Sequence, residues 1–310
     1  MEIREELEIR RRGAIRALAG LVGVGAAALA FAPSAQANHG VQVEGNCQNP
    51  PDDPAFTTVD PLACGDYDGD GLIGTAEDND NDRVFGTLNG AISTGNAGTR
   101  LNNNGSAIVV TSGVFAETVN ITGNVTLEAA PGVDANIDAF VQGDDAPSNT
   151  SRQAQPGIVV DAPDNRAVVI RNIRSTNWTS GIQIKGDSSV TVEDVEVDHN
   201  INYGIEVLDN ASVNIANSEV SATGFRVNPA TGDFPTTNAP DPGRGIEFSG
   251  ASDGAVFNST VTGSFDSSIA DESSENPCVA QVSLIDNGKL SGFSKGMKQK
   301  IRKGQVSCTS

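Results

Sequence analysis

The chain has 310 residues, with 40 acidic against 20 basic side chains, 37% apolar content and 5% aromatics. Residues 38–288 hold 36 of the acids and nine of the bases, a net of −27, whereas residues 289–310 hold six bases and no acid. A body of that sign is repelled by phosphate backbones, which argues against a nucleic-acid partner, and the apolar fraction argues against disorder throughout.

The chain opens with an address. Arg10 to Arg16 form a basic region, Ala17 to Ala32 an apolar run of 16 residues, and Ala35-Gln36-Ala37 a small-x-small cleavage pattern. The run falls short of the roughly 20 residues a bilayer span needs. Residues 1–37 therefore read as a signal peptide removed after Ala37, with Arg10-Arg11-Arg12 leaving a twin-arginine route open. The expected product is secreted, extracellular or periplasmic, with no membrane span, and monomeric. Export permits disulfides among Cys47, Cys64, Cys278 and Cys308. Of the three pairings, the sequence-local one, Cys47–Cys64 and Cys278–Cys308, staples both ends.

Residues 38–105 read as an N-terminal segment with a calcium loop and a cap. Within residues 66–77 (DYDGDGLIGTAE), Asp66, Asp68, Asp70 and Glu77 take the carboxylate positions of a twelve-residue Ca2+ loop. Gly71 takes its turn position and Leu72 supplies a carbonyl. Pro61 and Gly65 exclude a long leading helix, and no partner loop follows, so the loop reads as a structural clamp without a switching role. The alternative is a solvated acidic turn, continued by Asp78, Asp80 and Asp82.

A repeat runs through the second half. Gly-Ile recurs at Gly157, Gly181, Gly204 and Gly245, with a degenerate Ser268-Ile269 after it, at spacings of 24, 23, 41 and 23 residues. A second column, Asn172, Asp194, Asn217 and Asn258, is spaced by 22, 23 and 41. The 41-residue step is one repeat plus an insertion of 18. Between the columns, apolar and polar residues alternate with period two, as in VTVEDVEV (190–197), which marks short strands with one buried face. Strands this short must stack on neighbours to complete a core, and a fixed Asn or Asp suits a turn that bonds its own backbone and the next coil.

These columns, with a short helix-like Thr87–Ile92 and the segments 107–122 and 124–133, resemble a right-handed parallel β-helix of the pectate-lyase-like superfamily with PbH1-type repeats. The resemblance covers about 85–285. It implies an all-β solenoid of about seven coils over residues 106–287, behind a small N-terminal calcium-loop and cap segment. It specifies fold more than chemistry. The motifs of the family's enzymes are missing. Val197-Asp198-His199-Asn200 is similar to an Asp-His motif of pectate lyases but lacks its Trp, and the paired aspartates and Gly-His-Gly of polygalacturonases are absent.

Two insertions, 142–156 and 226–244, each precede a Gly-Ile strand and so leave from one corner, where they are expected to wall a trough. If the Ile after each Gly points inward, Val159, Gln183, Glu206 and Glu247 point outward, followed by Asp161, Lys185, Leu208 and Ser249. Glu206 and Glu247 are then close enough to act as acid and nucleophile of a glycosidase, or to hold calcium; they are equally readable as exposed acids. Lys185 and Arg244 are the candidate proton acceptors of a lyase. Trp178, Gln183, His199, Tyr203 and Asp161 are the expected ligand-binding residues, the two aromatics as platforms for sugar rings. The function expected is a secreted protein that binds polysaccharide or a cell-surface glycan, and if an enzyme, a polysaccharide lyase or glycoside hydrolase. The alternative is a non-catalytic structural or adhesion protein of the cell envelope. Residues 288–310 read as a basic cap or tail, with Phe293, Met297 and Ile301 on one side of a short helix tied back by Cys278–Cys308.

Overall fold

The computed structural model describes residues 41–43, 84–85, 88–92, 106–110, 113–129, 135–141, 144–163, 166–233, 243–285 and 289–308. The address, the loop at 66–77, and Cys47 and Cys64 lie outside the described residues. What is described is a solenoid of three parallel sheets. Sheet I has nine strands, ending in Ser106–Val110, Val125–Ala129, Ala167–Arg171, Ser189–Glu193, Ser212–Ala216, Asp253–Phe257 and Cys278–Ala280. Sheets II and III have seven strands each, and every coil from Ser106 onward contributes one strand to each sheet, giving seven coils. Sheet II holds Arg174–Thr176, Glu196–Asp198 and Glu219–Ser221 at its centre; sheet III holds Ser180–Ile184, Tyr203–Val207 and Arg244–Gly250.

All strand pairs are parallel and in register, so the sequence columns become physical stacks. Ile158, Ile182, Ile205, Ile246, Ile269 and Leu290 lie over one another inside sheet III, each almost wholly buried. Val125, Val168, Val190 and Val213 do the same inside sheet I. Each such side chain contributes about 1.5–3 kcal/mol of burial relative to exposure.

The corners explain the two columns. Asn172, Asp194, Asn217 and Asn258 join sheet I to sheet II with φ of 54°, 52°, 52° and 47°. Asn and Asp enter this left-handed region at lower cost than other side chains. Asn258 Nδ2 also donates to Asn217 Oδ1 at 2.6 Å, which links these two corners directly. The Gly-Ile glycines serve a different purpose: they sit inside the narrow corner between sheets II and III. A Cβ on Gly181 would lie 2.5 Å from Val197 Cγ1, and one on Gly157 would lie 2.6 Å from Ser175 Oγ.

Among the described residues, three short helices complete the fold: α1 (Leu88–Ile92), α2 (Ala146–Gln153) and α3 (Lys295–Arg302). α3 closes the last coil. Ser294 caps it by accepting from Met297 N–H, and Phe293 and Ile301 are buried against the core with Met297 partly so. The Cys278–Cys308 disulfide ties the segment after α3 to the last strand of sheet I. The basic end thus turns the apolar side of α3 toward the core.

Two glycines give opposite expectations. Gly181→Ala overpacks the corner and is expected to cost about 1–3 kcal/mol of stability. Gly296→Ala, where a Cβ meets nothing within 4 Å, is expected to gain about 0.5–1 kcal/mol because α3 loses a flexible residue. Urea unfolding of both variants checks the pair of signs.

Candidate functional site

The two insertions do leave from one corner, between sheet II and sheet III. They do not stand apart as walls of a trough. Asn149 Nδ2 on α2 donates to Pro229 O at 2.9 Å, and Gln153 Nε2 donates to Val227 O at 3.2 Å. The insertions meet over the corner and close it. Beneath them, Thr179 Oγ1 donates to Gln153 O at 2.8 Å. Trp178 is 0% exposed, and its indole N–H donates to Ile137 O at 2.9 Å. The expectation that Trp178 offers a ring to a sugar is corrected: the indole fills the corner and presents no free face.

His199 belongs to the same corner but to the sheet II side. It is left-handed (φ 53°), and its Nδ1 lies 2.5 Å from Asp198 Oδ1. Asp198 also receives Ser221 Oγ at 2.9 Å and Arg174 Nη2 at 2.9 Å. Burial pushes the Asp198 carboxyl up, but the bonds from His199, Arg174 and Ser221 outweigh it and hold the carboxyl below its ordinary value. This group is a knot across the central strands of sheet II.

The outward face of sheet III gathers the rest. Gln183, Glu206 and Glu247 stack in register on successive strands, as do Tyr203 and Arg244 in the neighbouring column. Parallel strands lie about 4.8 Å apart, which sets the spacing of the two glutamates' backbones. Neither glutamate is an exposed acid. Glu206 is 9% and Glu247 5% exposed. Glu206 Oε2 accepts from Ser180 Oγ and Gln183 Nε2, both at 2.8 Å. Glu247 Oε2 accepts from Arg244 Nη1 at 2.6 Å, and the same Nη1 lies 2.7 Å from Glu272 Oε1. Arg244 Nε approaches Asp266 at 3.5 Å, a Coulombic contact without hydrogen-bond geometry. Lys185 and Asp161 pair at 3.5 Å in the next outward column.

Burial raises the Glu247 carboxyl above its ordinary value; Arg244 opposes this, and Glu272 and Glu206 add to it. Burial, with Glu247 and Glu206 nearby, likewise pushes the Tyr203 phenol up to about 12. Among the described residues, no group of three or more His, Cys, Asp or Glu side chains is placed to hold a metal ion.

The face thus joins Glu206, Glu247, Gln183, Tyr203 and Arg244, sets Lys185 and Asp161 beside them, and leaves out Trp178 and His199. Ser180, Glu272 and Asp266 were missed. The signal for Glu272 was present: it stands four residues after Ser268, as Ser249 does after Gly245 and Lys185 after Gly181.

A family model described as right-handed beta helix region matches residues 156–294. No curated protein and no solved structure matches the chain. Together with three in-register parallel sheets, the match gives the described residues the fold of a right-handed parallel β-helix.

Ultraviolet titration tests the electrostatics of this face directly. The chain has two tyrosines, Tyr67 and Tyr203. The phenolate signal that vanishes in Tyr203→Phe is expected to be the one titrating at about 12. Loss of a component at the ordinary value, which is about 10, contradicts the burial and charge assigned to it.

Proposed function

We propose that the outward face of sheet III binds polysaccharide outside the cell. The observation behind this reading is the in-register stack of Gln183, Glu206 and Glu247 beside Tyr203, a polar group held at strand precision on an elongated surface. Such a surface suits an extended chain of repeated units, and strand-borne side chains are positioned more sharply than loop-borne ones. The Cys278–Cys308 disulfide fits an oxidising compartment. No described helix is long and apolar enough to cross a membrane.

A second reading, hydrolysis, draws on the adjacency of Glu206 and Glu247 and on the raised carboxyl of Glu247, the property a general acid needs. Against it, Glu247 is held by Arg244 at 2.6 Å, which favours its anionic form. Binding without catalysis therefore leads. Affinity electrophoresis against a glycan panel, with a reducing-end assay, separates the two. Glu206→Gln and Tyr203→Phe are each expected to weaken retention at least about tenfold while melting as wild type. Release of reducing ends that Glu247→Gln abolishes would promote the second reading. Variants that bind every responsive glycan like wild type would remove the face from consideration.

The calcium loop enters on its donor pattern alone, Asp66, Asp68, Asp70, Glu77 and the Leu72 carbonyl. An ion that binds the folded form alone raises the melting temperature by mass action. Wild type is expected to melt higher in calcium than in chelator, and Asp70→Ala to lose that difference; identical wild-type curves contradict the clamp.

A further inference from the structure

The cations on the outward face of sheet III are already neutralised. Arg244 Nη1 lies between Glu247 at 2.6 Å and Glu272 at 2.7 Å, with Asp266 at 3.5 Å from its Nε. Lys289 Nζ lies 2.6 Å from Asp266, and Lys185 Nζ lies 3.5 Å from Asp161. Glu206 is the carboxylate left over. It is 9% exposed, and its hydrogen bonds come from the neutral Ser180 and Gln183, both to Oε2. Among the described residues, no cation lies within ion-pair distance of it, and Oε1 accepts no hydrogen bond. Oε1 is the oxygen of this carboxylate that solvent still reaches, and a positively charged donor there would supply the counter-charge that no described residue does. A ligand carboxylate meets the reverse situation. Among the described residues it finds no unpaired cation on this face, and it adds a like charge to a surface that already has more acids than bases.

Resting on the polysaccharide-binding reading above, we infer that this face selects a polymer of amino sugars with free, protonated amines, which donate to Glu206 Oε1, and rejects polyuronates. The bond formed is an N–H···O contact between opposite charges, which adds Coulomb attraction to the hydrogen bond that a neutral N–H could give the same carboxylate. Selectivity follows from the pairing pattern. An N-acetylated sugar keeps an N–H but loses the charge, and a uronate reverses the charge.

Calorimetry with the full chain decides it, using glucosamine oligomers, their N-acetylated counterparts, oligogalacturonate and a neutral glucan. The free-amine oligomer is expected to bind at least about tenfold more tightly than the acetylated one, with oligogalacturonate giving no measurable heat. Glu206→Gln keeps an acceptor oxygen for Ser180 and Gln183, so it is expected to melt as wild type while binding amine and acetyl oligomers equally. Equal wild-type affinities for those two, binding of the neutral glucan alone, or binding of oligogalacturonate overturns the inference and leaves polysaccharide binding standing. Absence of heat with all four ligands overturns both.

Discussion

Register is the constraint on which the rest of this structure depends. Parallel stacking places every side chain over its counterpart one coil away, about 4.8 Å distant, so chemistry is copied up the solenoid or else collides with itself. Inside, copying is favourable: isoleucine over isoleucine builds a continuous column with no polar atom to satisfy. Outside, it brings Glu206 over Glu247, which repels. The neighbouring column resolves half of that conflict by setting Arg244 beside Glu247. Glu206 receives only neutral donors, Ser180 and Gln183. The asymmetry between two identical residues on adjacent strands is what gives the face a chemical direction.

Corner geometry decides which columns are visible in the sequence. Left-handed residues at one corner select Asn and Asp in four successive coils, with Gln281 in the next, and crowding inside another selects Gly in four coils, with Ser268 in the next. Both are backbone demands that one side-chain type meets best, so they leave a periodic trace. The outward positions face no such demand. Val159, Gln183, Glu206, Glu247 and Ala270 share a column that mixes four residue types, and Lys185, Leu208 and Ser249 share another with three.

This difference sets how much was legible. The solenoid and the outward direction of Glu206 and Glu247 follow from periodicity, whereas the seven coils and the short helix near Thr87–Ile92 came with the family resemblance, and Cys278–Cys308 was the sequence-local choice among three pairings. Trp178 was misread because its position at the insertion corner is the same whether the ring turns out or in. The room beneath two insertions, which depends on how Asn149 and Gln153 meet Pro229 and Val227, decides the matter. Burial of Glu206 and Glu247 was likewise invisible, since period-two alternation marks direction relative to the core and says nothing of what lies above. Glu272 was within reach but required extending the ladder through a degenerate Ser268.

The contact between the insertions also bears on how the chain reaches this state. Ladder contacts join residues about one repeat apart, as Ser180 to Glu206 at a separation of 26, so coils can grow from any starting point by short loop closures. Asn149 and Pro229 are 80 residues apart, and Gln153 and Val227 are 74 apart. Closing loops of that length costs more entropy, and they meet in place only after the intervening coils have stacked. The bridge over the corner is thus a late event in folding. It converts a chain of nearly independent neighbours into one cooperative block, so that coils two to five unfold together where a bare solenoid would fray one turn at a time.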